Sequence, residues 1–247
     1  MNTWPMIVSA GALAGAGVAA WGAVAPWSQL YGPTLRHTPG ENILALTFDD
    51  GPNPAVTPRL LNLLETHRAR ATFFIVGKFA RECPGLVREI HARGHLLANH
   101  TDTHPNLFFK SAAGIREELA RCQDAVAEAA GSHPPLWMRP PYGYRNPILG
   151  REVRRMGFQG VVMWSLFGWD WNPQPPERLI RRLARAARPG GSRGDIIAMH
   201  DGDHRALGAD RSHVVAALAH WLPRWRDAGV EFATIEMLPA GSTPPAR

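Results

Sequence analysis

Short apolar runs that stop abruptly at polar or turn-forming residues alternate with helical periodicity from Asn42 to Thr234, a pattern that commits the chain to a parallel α/β sheet or barrel. Asn42 to Phe48 is such a run, stopped by Asp49, Asp50, Gly51 and Pro52. Ala71 to Val76, Gln159 to Ser165, Asp195 to Met199 and Val230 to Thr234 are further predicted strands. Between them, Thr57 to His67, Pro84 to Arg93, Ala113 to Ala130, Pro176 to Ala187 and Ser212 to Ala228 read as helices. About 200 residues of this alternation suit an open or closed barrel, in which reactive side chains gather at the carboxyl ends of the strands. The polar groups that end each run are therefore the first candidates for function.

No charged residue occurs from Asn2 to Leu35, and Trp4 to Trp27 is almost wholly apolar. At roughly 1.5 Å of rise per residue that stretch is long enough to cross a bilayer core. Trp4, Trp21, Trp27 and Tyr31 lie toward its ends, as interfacial aromatics do. A cleaved signal peptide is the rival: Ala23-Val24-Ala25 has the small-x-small pattern, against which stand Pro26 and the lack of an upstream Lys or Arg. The expected organisation is a membrane anchor or signal segment over 1–31, a linker over 32–41, one folded domain over 42–238 and a tail over 239–247.

Twenty-seven basic residues against 21 acidic ones give a net charge of +6, and only Lys78 and Lys110 are lysines. The arginines are scattered, clustering only at Arg151, Arg154 and Arg155 and at Arg178, Arg181, Arg182 and Arg185. A nucleic-acid groove would combine a basic stripe with stacking aromatics, so no nucleic-acid partner is expected. The charge reads as a solvated surface suited to anionic lipid or polymer. Cys83 and Cys122 are the only cysteines; their spacing is not that of a metal knuckle, and a disulfide and two ordinary thiols both stay open.

Five segments carry chemistry. Thr47-Phe48-Asp49-Asp50-Gly51-Pro52 puts adjacent carboxylates at a strand mouth, where like charges repel unless a cation lies between them. His100-Thr101-Asp102-Thr103-His104 places two imidazoles four apart, on one side of a helical turn, so that with a carboxylate from elsewhere they chelate one ion. In Arg139-Pro140-Pro141-Tyr142-Gly143 the prolines hold the backbone extended, so Arg139 reaches back to a carboxylate while the Tyr142 amide faces the cleft. Trp164 to Trp171 breaks into Gly-Trp-Asp-Trp at a strand end, as a pocket wall does. Ile196 to Asp201 delivers His200, a general acid if a carboxylate neighbours it.

In this order and spacing the segments resemble the polysaccharide deacetylases of carbohydrate esterase family 4, the NodB-homology domain, over about Asn42 to Leu238. The resemblance implies the family's distorted (β/α) barrel, here with an N-terminal hydrophobic helix. It implies a divalent metal held by Asp50, His100 and His104, zinc by default, with cobalt, manganese or nickel as alternatives. Asp49 would be the general base and Arg139 its partner. The metal and the Tyr142 amide would stabilise the developing oxyanion. His200 would protonate the leaving amine, Asp170 would keep His200 charged, and Trp171, Pro141 and Ala198 would contact substrate.

Two positions depart from the family pattern. Phe167 stands where an acidic residue is usual, and Ala198 where leucine is usual, which leads us to expect tolerance of an acyl group larger than acetyl. The implied activity is hydrolysis of N-acetyl or other small N-acyl groups from amino sugars of a glycan such as peptidoglycan or chitin-like oligomers. Such polymers place the catalytic domain outside the cytoplasmic membrane, in the periplasm or at the cell surface. A deformylase or deacylase of a lipid-linked amino sugar is the alternative enzyme. A catalytically degenerate glycan-binding protein is a third reading, supported by Phe167.

Overall fold

A computed structural model of the chain describes residues 15–40, 42–186 and 194–237. Its strands are β1 (Thr34–Leu35), β2 (His37–Thr38), β3 (Ile43–Gly51), β4 (Ala71–Ile75), β5 (Leu96–Asn99), β6 (Trp137–Met138), β7 (Gly160–Val162), β8 (Leu166–Phe167), β9 (Gly194–His200) and β10 (Glu231–Phe232). The helices that cross between them are α1 (Thr57–Thr66), α2 (Gly77–Glu82), α3 (Pro84–Ala92), α4 (Ala112–Ala130), α5 (Pro147–Arg155), α6 (Pro176–Leu183) and α7 (Ser212–Asp227). The sheet runs β1-β7-β6-β5-β4-β3-β9-β2, with β10 added to β3 and β8 to β9. Every pairing is parallel except β2 with β9.

Burial on both faces explains why the strands read as unbroken apolar runs rather than alternating ones. On β3, Leu44, Leu46 and Phe48 point outward into a core shared with Leu60, Leu61 and Leu64 of α1 and Leu218 and Leu222 of α7. Ala45 points inward, to an interior filled by Phe74, Ala98, Val162 and Ile196. Small and large residues share that interior, as a narrow barrel requires.

Residues 32–41, read as a linker, contribute two strands. β1 lies along β7 and β2 along β9, so the single stretch 34–38 bridges the two ends of the β7-β6-β5-β4-β3-β9 sheet and nearly closes it. Three expectations shift in detail. The strand expected at Gln159 to Ser165 ends at Val162, and its continuation becomes β8. β5 and β6 were not expected. Helix α6 ends at Leu183, and the last residue of the helix expected there, Ala187, lies outside the described residues.

Residues 15–24 are helical. Of the expected membrane span, the part before residue 15 lies outside the described residues, and among those described no helix is long and apolar enough to cross a membrane. Cys83 and Cys122 are both free.

Candidate active site at the carboxyl ends of the strands

Five strands deliver the predicted groups to one mouth. Asp49 and Asp50 end β3, His100 follows β5, Arg139 follows β6, and His200 ends β9 with Phe167 beside it on β8. The backbone there is unusual: Asp50, Thr101, His104, Tyr142 and Trp169 all have φ between 57° and 68°, leaving Arg68 as the one other non-glycine of this kind among the described residues. Strained conformations gather where side chains must be aimed rather than packed. His100 and His104 accordingly meet across a loop turned by Thr101 and His104, not on the helical turn expected from their spacing.

One donor atom each from Asp50, His100 and His104 lies within 4.8 Å of the others, and all three residues are buried. The Nε2 atoms of His100 and His104 are 3.5 Å and 3.2 Å from Asp50 Oδ1, a buried oxygen with no hydrogen-bond partner. His100 Nδ1 is 2.8 Å from the Arg139 carbonyl. A carbonyl only accepts, so Nδ1 carries the proton and Nε2 offers its lone pair toward Asp50. Burial pushes His104 down to about 3, keeping it neutral, although Asp50 pulls the other way. Burial likewise opposes ionisation of Asp50, but the neighbouring imidazoles of His100, His204, His104 and His200 hold its carboxyl well below the usual range. Two imidazoles and one carboxylate, with an orphaned oxygen between them, fit a divalent cation.

Asp49 is placed differently. Its Oδ1 accepts from Arg139 Nη1 at 2.7 Å, and Arg139 is itself fixed inside the barrel. The guanidinium also donates to Thr47 Oγ1 at 2.8 Å and the Met163 carbonyl at 3.0 Å, and stacks 4.2 Å from the Phe74 ring. Thr47, which the motif contains without an assigned role, completes this cradle.

His200 pairs with Asp49 across β3 and β9. Asp170 grips it twice, accepting the His200 backbone N–H on Oδ2 at 2.7 Å and facing Nδ1 with Oδ1 at 3.0 Å. Burial would push the imidazole down, yet the Asp170 carboxylate lifts it to about 9. His213 Nε2 in turn donates to the Asp170 carbonyl at 3.0 Å. Phe167, in the place of the usual acid, sets its ring at 86° to His200, 5.8 Å away, and stacks on Trp164 at 4.7 Å.

The cleft over these groups has a volume of ≈ 800 Å³ and an aromatic wall of Trp164, Phe167, Trp169 and Trp171. Two expected contacts are absent from it. Ala198 is fully buried, on the interior face of β9 below His200, and Pro141 is buried while Pro140 borders the cleft. The room expected from Ala198 is therefore inside the barrel.

His204 was missed. Its ring stacks on His104 at 4.0 Å and 19°, Nδ1 is 3.5 Å from Asp50 Oδ2, and Nε2 is 3.3 Å from Tyr142 Oη. Lys78 Nζ donates to the His204 carbonyl at 2.6 Å, fixing the loop that carries it. The only signal in the sequence is a histidine four residues after His200.

These residues equip a barrel hydrolase with a place for one divalent ion between a buried ion-paired carboxylate and a carboxylate-held imidazole. The chain belongs to the polysaccharide deacetylase family, whose sequence profile matches residues 36–161. It is 35% identical over 203 residues to a peptidoglycan-N-acetylglucosamine deacetylase of Bacillus cereus, covering 80% of this chain and 88% of that one. It is 33% identical over 204 residues to a chitooligosaccharide deacetylase of Azorhizobium caulinodans, covering 80% and 95%. A family 4 carbohydrate esterase from Streptomyces lividans, solved in complex with acetate, superposes with a TM-score of 0.68 at 32% identity, covering 78% of this chain and 93% of that one.

Proposed function

We propose that the protein removes N-acetyl groups from N-acetylglucosamine units of a glycan of the peptidoglycan or chitooligosaccharide kind. The observation that carries this reading is the convergence of two differently partnered systems, Asp49 with Arg139 and His200 with Asp170, on the Asp50, His100 and His104 donor set. The relatives' substrates support it. Asp50, His100 and His104 would hold the ion, zinc by default, which when bound supplies Lewis acidity to the amide carbonyl and to water.

Each protein group then has one task. Asp49, with one oxygen engaged by Arg139, takes the proton from the attacking water on the other. The Tyr142 amide, offered by the left-handed turn at φ 59°, donates to the oxygen on which charge develops. His200 gives its Nε2 proton to the departing sugar nitrogen, so the C–N bond breaks to leave free amine and acetate. Trp171, packed 5.5 Å from Phe167, closes the acyl side.

An extracytoplasmic domain held at the membrane by the N-terminal segment accompanies this reading, supported by the exposed apolar residues Val18, Trp21, Val24 and Leu30. The lipid-linked amino sugar remains the second enzyme reading, favoured by Arg182 and Arg185 on the cleft wall, which suit a phosphate. Metal analysis with acetate release from N-acetylglucosamine oligomers and peptidoglycan fragments, on the full chain with Asp49→Asn as control, tests the assignment. One metal per chain and Asp49-dependent acetate are expected. Bound metal without acetate would move the substrate to formyl or lipid-linked sugars, and absence of both would leave a glycan-binding protein.

A further inference from the structure

One wall of the cleft comes from residues that precede the part matched to the family. Val24, Pro26 and Trp27 line it together with Asp50, His104 and Tyr144, whereas the family match begins at residue 36. Their position is fixed by Arg145, which follows the Arg139-to-Gly143 motif by two residues and is 3% exposed. Its backbone N–H donates to the Ala23 carbonyl at 3.1 Å, Nη1 to the Ser28 carbonyl at 2.8 Å, and Nη2 to the Ala25 carbonyl. A buried guanidinium whose two terminal nitrogens both donate to carbonyls of one segment makes that segment part of the domain. Gln29 continues the attachment, exchanging hydrogen bonds with Thr34 at 3.1 Å and 2.9 Å at the start of β1.

Within this segment Ala23, Ala25 and Ser28 are buried, yet Trp27 between them is 58% exposed. A segment tied down by these hydrogen bonds thus holds a large aromatic surface open to the cleft instead of burying it, which forgoes the hydrophobic gain its area offers. The cleft volume of ≈ 800 Å³ lies in the upper part of the range of about 300–1,000 Å³ for small-molecule sites, room for more than a single amino sugar. The opposite supply of aromatics, Trp169 and Trp171, comes from the segment after β8, so the two walls have separate origins in the chain.

We propose that Trp27 is a stacking platform for a pyranose ring adjoining the sugar that reacts, making the N-terminal segment a glycan subsite of the enzyme. The axial C–H groups of a pyranose pack on an indole face, and the contact is uncharged, which suits a neutral amino-sugar polymer. This inference rests on the proposed glycan reading and adds to it a preference for chains over short fragments.

The test compares Trp27→Ala, Trp27→Phe and Leu30→Ala in the full chain, with chitobiose and chitopentaose as N-acetylated substrates. Loss of one stacked ring predicts that Trp27→Ala raises KM for the pentamer about tenfold relative to the dimer, with kcat for the pentamer kept. Trp27→Phe restores most of the preference, and Leu30→Ala, exposed on the same segment outside the cleft, leaves it unchanged. Equal effects of Trp27→Ala on both substrates, or none on either, would overturn the proposal. So would weaker binding to phosphatidylglycerol vesicles with unchanged pentamer kinetics, which would make Trp27 a membrane contact. Pentamer binding to the Asp49→Asn protein, followed by tryptophan fluorescence, reports on the subsite even if no acetate is released, which separates its failure from failure of the glycan reading.

Discussion

Asp49 and Asp50 are adjacent, and what each carboxylate touches gives them different work. Asp49 faces a permanent cation, Arg139, and Asp50 faces the Nε2 atoms of two imidazoles. Asp49→Asn should therefore lower turnover by at least about a hundredfold while metal content stays near one per chain. His104→Ala should lose the metal as well, and metal retained on dialysis would move the ligand set elsewhere. His204 reaches Asp50 from the open side, with Nδ1 toward Oδ2 and Nε2 toward Tyr142 Oη. Partners of metal-binding carboxylates typically change affinity by about 10–100-fold. His204→Ala should weaken metal binding by that order in a chelator competition, and His204→Asn, whose amide nitrogen replaces Nδ1, should recover most of it.

His200 is lifted to about 9, so its proton stays on through neutral pH and the activity should decline only as pH rises toward about 9. Its contribution to stability has the same sign: full below the unfolded value near 6.5, and lost as pH climbs through the folded value. Asp170→Asn removes the cause of the elevation, and the falling limb of the rate profile should move to lower pH. A limb that does not move would take Asp170 out of this role. Asp49, Asp50 and His200 were legible because each ends an apolar run, and His100 and His104 because they stand four apart. His204 and Trp27 were not, because their placement depends on contacts far along the chain.

Among the elements, the long strands were readable, and the short ones only where an apolar run extends beyond their paired residues. β3 and β9 are long apolar runs and emerge from the sequence, whereas β6 has two residues and β5 four, too few for a pattern. The loops beyond the strands were misread where backbone conformation, not spacing, brings groups together, as between His100 and His104. Gly202 shows how tight these loops are: a Cβ there would lie 2.0 Å from the Asp50 carbonyl oxygen, which cannot retreat without moving a ligand. Gly202→Ala should lower the melting temperature and weaken metal binding together. A variant with native metal affinity would show that the loop yields elsewhere.

At the scale of the whole molecule, the domain does not begin where composition changes. The stretch 34–38 bridges β7 and β9, and Arg145 spends its hydrogen bonds on residues 23–28. A chain beginning at Arg36 loses β1 and leaves a buried guanidinium without acceptors. It should melt well below one beginning at residue 15, and equal melting curves would show that the barrel holds without this closure. The stretch 32–41 looked like a linker because β1 and β2, of two residues each, are too short to show a strand pattern.

The five left-handed residues around the mouth bear on redesign. Asp50, Thr101, His104, Tyr142 and Trp169 are corners in the path of the backbone as well as functional surfaces, so most side chains introduced there would first distort the chain. Libraries aimed at new acyl groups are better spent on Phe167 and Trp171, which wall the cleft without positive φ, and asparagine or glycine is the natural first trial wherever a corner itself must change.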